Sequence, residues 1–252
     1  MEFIGEVVAW LTSPASWDGP NGIGVRTWEQ VALSAVALGA ALALALPLGL
    51  VIGHTGRGAG IVISISNIGR AVPSLGWLGI FFPLVLLLRT GESGFLTSLI
   101  ALTLLAIPPI VTNTYVGLRG VDRDLVEAAR GMGMREGQLL RRVEVPLALP
   151  VILAGVRTSA VQVVATATLA AVVSGGTLGV IIIQGINGGG REKLVGAALI
   201  VALLSIGTEL LFGLLQRAAT ARAPSGPGTR QAGDEPVPPQ RGAGFESGAA
   251  EG

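Results

Sequence analysis

The stretch EAARGMGMREGQLLRRVEVPLALP, from Glu127 to Pro150, decides how this chain is organised. It holds four arginines and three glutamates, whereas only 13% of the 252 residues are charged and 50% are hydrophobic. Soluble domains are roughly 25% charged, and long apolar segments flank this stretch on both sides. The composition therefore predicts a membrane protein, and most of the charged stretch is predicted to leave the bilayer.

Composition also excludes several classes of function. The net charge of +1 gives no indication of a nucleic-acid partner. The absence of cysteine rules out disulfides and thiolate metal sites, and the single histidine, His54, argues against a histidine-built metal site. No glycine-rich phosphate loop with its lysine is present. We therefore expect no cofactor and no catalysis in this chain, and any ATP hydrolysis is expected in a separate subunit.

Five apolar segments are long enough to cross a bilayer, which takes about 20 residues per helix. They cover residues 28–52, 59–88, 95–116, 147–173 and 194–216. The second segment is broken at Pro73 and is either one broken span or two shorter ones. The sequence thus predicts an all-α membrane protein with five or six transmembrane helices, over a transmembrane domain at 27–216.

The two ends of the chain differ from this domain. Residues 1–26 open with Glu2 instead of a basic segment, so they predict an interfacial, extracytoplasmic helix and not a signal peptide. Residues 217–252 are rich in Pro, Gly, Ser and charge, which predicts a disordered tail.

Arginine counts predict the orientation, because cytoplasmic loops of membrane proteins are enriched in basic residues. The loop at 117–146 contains six of them: Arg119, Arg123, Arg130, Arg135, Arg141 and Arg142. The loop is therefore expected in the cytoplasm. Five spans then place the N-terminus outside and the C-terminus inside, in the plasma membrane of a bacterial cell.

The charged loop predicts two short amphipathic helices. Asp124 is a candidate N-cap, with Glu127 three residues later to reach back to it. Gly131 and Gly133 offer places for the first helix to end. A second helix is predicted over 136–143. The side chains that share one face of the first helix are Leu125, Ala128, Ala129 and Met132.

The spacing within this loop resembles the signature of ABC-importer permeases. That signature is Glu-Ala-Ala, three residues, Gly, nine residues, an aliphatic residue, one residue, and an aliphatic residue followed by Pro. The matching positions are Glu127, Ala128, Ala129, Gly133, Val143, Val145 and Pro146. The resemblance implies a type I importer fold like that of the methionine permease, with a coupling helix that docks on the ATPase subunit.

Other segments resemble the osmoprotectant branch of this superfamily. They include NIGRAVPSLGWLGI, IPPIVTNTYVGLRGVDRDLVEAARGMGM and SGGTLGVIIIQGIN, within about residues 67–215. The resemblance implies import of glycine betaine, carnitine, choline or proline. It also implies two ATPase subunits, a second permease copy or paralogue, and an extracytoplasmic binding protein. A permease for methionine or another amino acid, and an ion-coupled secondary transporter, are the alternatives.

Polar residues inside the spans are candidates for the transport pathway. A charge within the bilayer faces a cavity or a partner, since its exposure to lipid is costly. Arg157 and Glu209 therefore either line or gate the pathway, or form a structural pair that fixes helix rotation. The uncharged candidates, which also suit hydrogen bonds between helices, are Asn67, Asn113 and Gln162.

The glycine-rich segment at 174–193 is too broken for a full crossing. Its Gly175-Gly176-Thr177-Leu178-Gly179 run lacks the lysine of a phosphate loop. We expect a flexible gate at the outer mouth, or a re-entrant turn.

Overall fold

The computed structural model describes residues 2–89 and 91–220, and within these ranges the chain is helical with no β-strand. The tail prediction lies outside the described residues, apart from 217–220. The helices are α1 Glu2–Thr12, α2 Pro14–Trp17, α3 Ile23–Thr55, α4 Ala59–Ala71, α5 Ser74–Leu86, α6 Ser93–Arg119, α7 Arg123–Gly131, α8 Glu136–Leu139, α9 Val145–Thr166, α10 Gly179–Gln184 and α11 Arg191–Thr220.

Four helical stretches in the described part of the chain are long and apolar enough to cross a membrane. They are α3, α6, the stretch from α8 through α9 to Val173, and α11, and the bent pair α4–α5 makes a fifth if it is one span. The membrane class and the all-α fold are confirmed. The count of five or six spans stays a prediction.

Helices α3, α6 and α9 form the core of the bundle. Small side chains let these helices approach closely, as is usual between helices in lipid. A Cβ added to Gly155 of α9 would lie 2.6 Å from the Asn113 Cβ and 2.8 Å from the Pro109 carbonyl oxygen of α6. The apolar centre is packed from α3, α6, α9 and the turn that follows α9, and it includes Leu33, Ala41, Ala106, Ile110 and Val163.

The break in the second apolar segment falls where Pro73 was expected to place it. Val72 is extended (φ −71°, ψ 123°), which is the conformation that a following proline favours. The proline ring also removes a backbone donor, so α4 ends and α5 restarts at Ser74. The two helices meet at a bend of 91°.

The two ends of the bundle carry different polar groups. At one end, His54 in the last turn of α3 contacts the charged loop, so the α3–α4 turn and that loop lie together. At the opposite end, Glu29 near the start of α3 accepts a 3.0 Å hydrogen bond from the backbone N–H of Thr177. This arrangement agrees with the alternation of loops inferred from the arginine counts.

The glycine-rich turn after α9 is held in place by hydrogen bonds and burial. A 3₁₀ segment, Ala167–Val173, continues α9, and Thr177 then adopts a positive φ of 74°. The Thr177 side chain is fully buried, and its hydroxyl donates to the Ala167 carbonyl at 3.2 Å. Its hydrogen bonds therefore argue against a freely flexible gate at this position. The chain then forms α10, which packs on α11.

The N-terminal helices lie against the same end. Trp10 of α1 packs so closely on α11 that a Cβ at Gly196 would lie 2.5 Å from its ring. Trp17 is 47% exposed, and its indole N–H donates to the Leu11 carbonyl at 2.7 Å. One tryptophan thus joins the apolar packing, while the other keeps the exposed position that suits a membrane surface.

Candidate functional site

The charged loop folds into a capped helix, α7, that lies outside the candidate spans. Its N-cap is Asp122, whose carboxylate accepts a 2.9 Å hydrogen bond from the backbone N–H of Asp124. The prediction of Asp124 as the cap was wrong by two residues, because the same side-chain chemistry occurs at both positions. Asp124 lies in the first turn instead, where a carboxylate complements the helix dipole.

Helix α7 ends in a Schellman motif around Gly133. The Gly133 N–H donates to the Arg130 carbonyl at 2.9 Å, and the Met134 N–H donates to the Ala129 carbonyl at 3.2 Å. Gly133 has a φ of +82°, which side chains with a Cβ rarely adopt. The prediction that the first helix ends at this glycine is confirmed.

The loop offers a clean test of backbone strain, because a Cβ at Gly133 would meet no atom within 4 Å. Gly133→Val is expected to destabilise the turn by about 1–2 kcal/mol through its positive φ alone. Gly133→Asn is the matched control, since asparagine tolerates this conformation. Limited proteolysis of the loop in the purified protein is expected to speed up for Val more than for Asn. Equal rates in the two variants would contradict a conformational role for Gly133.

The two alanines of the motif face opposite ways. Ala129 is 3% exposed and packs within the chain, whereas Ala128 is exposed. Leu125 and Met132 lie on the same side as Ala128 and are 44% and 74% exposed. The outward apolar face of α7 is therefore Leu125, Ala128 and Met132. Ala129, which was predicted to share this face, is buried against its own chain instead.

The second half of the loop differs from the prediction. Helix α8 does not end at Val143 as a separate helix, because the chain continues through a π-helical turn, Leu140–Glu144, directly into α9. The motif residues Val143, Val145 and Pro146 are half-buried along this path. Pro146 is the second residue of α9 and directly follows the π-helical turn.

A chain of charged groups connects α7 to the end of α3. Arg130 donates from Nε and from a terminal nitrogen to the two Glu136 carboxylate oxygens, at 3.0 and 3.1 Å. Glu136 also lies 3.2 Å from Nε2 of His54, whose Nδ1 lies 2.5 Å from the Glu144 carboxylate. Glu144 is buried within the π-helical turn. The loop is thus attached to α3 by polar side chains as well as by apolar packing.

These contacts set the charge of Glu136. The hydrogen bond from Arg130 holds the pKa of the Glu136 carboxyl below its ordinary value, and His54 adds to the effect. Because the lowered pKa belongs to the folded loop, the pair stabilises the loop above the ordinary carboxyl pKa. That contribution is lost as the pH falls through the lowered value.

Beside this chain of charges lies a cavity of about 320 Å³ between α7 and the ends of α3 and α6. Its polar lining consists of His54, Arg119, Arg123, Glu127, Arg130 and Glu144. Within the described residues, no group of three His, Asp or Glu side chains is placed to hold a metal ion.

The two charged residues predicted inside the spans meet. Arg157 of α9 donates to the Glu209 carboxylate of α11, and their side chains are 36% and 42% exposed on the isolated chain. A Cβ at Gly213, one turn further along α11, would lie 3.5 Å from the guanidinium carbon. The pair therefore joins α9 to α11 and also presents polar atoms on the outside of the chain.

The uncharged candidates differ from the expected bonds between helices. Asn113 donates to the Pro109 carbonyl of its own helix at 2.8 Å. Among the side chains that the structure describes, neither Asn67 nor Gln162 forms a hydrogen bond. Sequence reasoning instead missed Gln30, which donates to the Val164 carbonyl of α9 at 2.7 Å, and Ser159, which donates to the Ala106 carbonyl of α6 at 2.8 Å.

The fold and the charged loop define a multi-pass membrane protein with a short capped helix outside its candidate spans. Residues 45–221 match the family model described as the inner membrane component of binding-protein-dependent transport systems. The chain belongs to this family. It is an inner-membrane transport permease, which agrees with its four or five apolar candidate spans.

Curated relatives and a solved structure agree with this assignment. The chain is 37% identical over 195 residues to the choline transport system permease protein OpuBB of Bacillus subtilis, covering 77% of this chain and 87% of the relative. It is 39% identical over 201 residues to the carnitine transport permease protein OpuCB of Listeria monocytogenes, covering 79% and 88%. An inward-facing MetNI methionine ABC transporter chain matches with a TM-score of 0.70 and 26% identity, covering 79% of this chain and 96% of that one.

Proposed function

We propose that this chain forms the translocation pathway of an ATP-driven importer for small quaternary ammonium osmoprotectants such as choline, carnitine or glycine betaine. The observation that carries the coupling part of the proposal is α7. It lies outside the candidate spans, is fixed by a cap at each end, and presents the apolar face Leu125, Ala128 and Met132. Such a face on a short helix suits insertion into a groove of a soluble partner.

The substrate class follows from the relatives, which are named for choline and carnitine transport and match over most of their length. The chain itself has only 4% aromatic residues and one tyrosine. Aromatic cages are the usual binding sites for quaternary ammonium ions. Selectivity is therefore assigned mainly to a separate extracytoplasmic binding protein.

The proposed assembly has two permease subunits, two ATPase subunits on the cytoplasmic side and one binding protein outside. The second permease is either another copy of this chain or a paralogue. ATP binding closes the ATPase pair, and each α7 transmits that movement to α3 and α9 through the contacts of the charged loop. The proposed domain limits are 1–26 for the outer segment, 27–216 for the permease and 217–252 for a cytoplasmic tail.

Uptake into proteoliposomes containing the whole transporter tests this function. With ATP inside, labelled choline, carnitine and glycine betaine are expected to accumulate, and methionine is expected to compete poorly. Uptake that follows an ion gradient without ATP would identify a secondary transporter instead. Preferential, ATP-dependent methionine uptake would retain the permease class and overturn the substrate assignment.

The proposed orientation can be tested by labelling, since the chain contains no cysteine. Arg135→Cys in the charged loop and Asn187→Cys before α11 are both at exposed positions. An impermeant thiol reagent added outside intact cells is expected to label Cys at 187 and not at 135. Labelling of both positions after the cells are opened is the control. The reverse pattern would place the N-terminus in the cytoplasm.

A further inference from the structure

The single histidine of the chain lies between two carboxylates. His54 is in the last turn of α3, with Nδ1 2.5 Å from Glu144 and Nε2 3.2 Å from Glu136. Its side chain is 14% exposed, and Glu144 is 6% exposed. The contacts join three elements that are 82 and 90 residues apart in sequence, so no local pattern reveals them.

Only one protonation state of His54 suits both carboxylates. A neutral imidazole has one N–H and one lone pair, so one of its nitrogens would face a carboxylate oxygen without a proton between them. An imidazolium donates on both sides, and hydrogen bonds between charged groups are the stronger kind. A buried carboxylate such as Glu144 also needs a donor, because burial of an unpaired charge is costly.

The surrounding charges come from every element packed around the ring. Arg130 of α7 pairs with Glu136 on its far side. Arg119 of α6, together with Arg123 and Glu127 of α7, lines the cavity next to the ring. The two charged groups in contact with the ring, Glu136 and Glu144, are both acidic.

We infer that His54 is a proton-dependent positioning residue, which as an imidazolium holds α8 and the start of α9 against the end of α3. This inference rests on the proposed coupling function. Loss of the proton leaves one carboxylate without its donor, so the docking segment is held less firmly. Import per ATP hydrolysed is therefore expected to fall as the pH rises from about 5 to 8.

The protonation state can be read directly, because the chain contributes a single imidazole signal. The full chain is purified with a histidine-free tag, labelled with ¹⁵N-histidine and studied by NMR in nanodiscs. The wild type is expected to show two protonated ring nitrogens up to a higher pH than the Glu144→Gln variant. A neutral single tautomer throughout this range, or identical titrations of the two proteins, would overturn the inference whether or not the chain transports.

A transport experiment measures the ratio of substrate imported to ATP hydrolysed. It uses proteoliposomes that contain the permease and the ATPase, together with the binding protein. The wild-type ratio is expected to fall severalfold with rising pH, and His54→Gln is expected to be low throughout, by about tenfold at the acidic end. His54→Lys keeps a positive charge, so it is expected to restore the ratio and remove the pH dependence. The Thr55 hydroxyl donates to the Val51 carbonyl and accepts from the Arg57 N–H. Thr55→Ala leaves the two carboxylate contacts of His54 in place, so it is the control and should follow the wild type.

Different results would contradict the proposed function and the role of His54. A wild-type chain that binds no ATPase and imports nothing with ATP contradicts the proposed function. A coupled wild type whose pH profile is shared by His54→Gln contradicts only the role of His54. If His54→Gln does not insert, His54→Lys and the NMR titration still decide the question.

Discussion

Ala128→Asp is expected to reduce co-purification of the ATPase subunit at least about tenfold while the permease still inserts in the membrane. Ala128 is at the centre of the outward face of α7, between Leu125 and Met132. A carboxylate there would be buried without a partner when the helix enters a groove. The measurement is the amount of ATPase retained on the tagged, detergent-purified permease.

Two further variants, Ala128→Ser and Ala129→Asp, serve as the control and the comparison. Ala128→Ser keeps the small size and is expected to retain the ATPase. Ala129→Asp is expected to act differently, because Ala129 is packed inside the chain and a charge there disturbs the loop itself. Faster proteolysis of the loop should therefore accompany Ala129→Asp and not Ala128→Asp. Normal ATPase binding by Ala128→Asp would contradict the assignment of α7 as the docking helix.

The second large effect is expected from the pair that joins α9 to α11. Arg157→Ala leaves Glu209 without its cation inside a membrane span, and Glu209→Ala leaves the arginine alone. Each single variant is expected to lower the yield of folded protein about fivefold or more, since unpaired charges are costly in the bilayer. The double variant is expected to recover much of that yield. Fluorescence-detected gel filtration of each variant measures it.

Transport by the double variant separates the two interpretations of this pair. Normal uptake would make the pair structural, with the role of fixing the rotation of α11 against α9. Loss of uptake in a well-folded double variant would assign the charges to the pathway or its gate. Equal yields in the two single variants and the wild type would contradict any requirement for pairing.

The sequence was sufficient for features that depend on local chemistry. Hydropathy located the long apolar helices, although the stretch predicted at 147–173 begins at Glu136. Pro73 marked the break in the second segment, and Gly133 marked the end of α7. Each of these features follows from the length of an apolar run or from the backbone limits of one residue type. Such constraints act on the chain before any tertiary contact forms.

The features that were missed depend on contacts between distant segments. His54 was read only as too isolated for a metal site, yet it contacts residues more than 80 positions away. Asn113 bonds the Pro109 carbonyl of its own helix, while Gln30 and Ser159 form hydrogen bonds between helices. Rotation of one helix against another decides such partners, and hydropathy leaves that rotation undetermined.

The unbroken helical path from Glu136 to Val173 gives this protein a mechanical lever. At about 1.5 Å per residue it is on the order of 55 Å long, which exceeds the hydrocarbon thickness of a bilayer. One end is the segment held by the charged loop, and the other end leads into the hydrogen-bonded turn at Thr177. A tilt of about 10° around the middle of this rod would displace each end by roughly 5 Å in opposite directions. A small displacement of the loop end of this helical path would thus move the Thr177 end in the opposite direction.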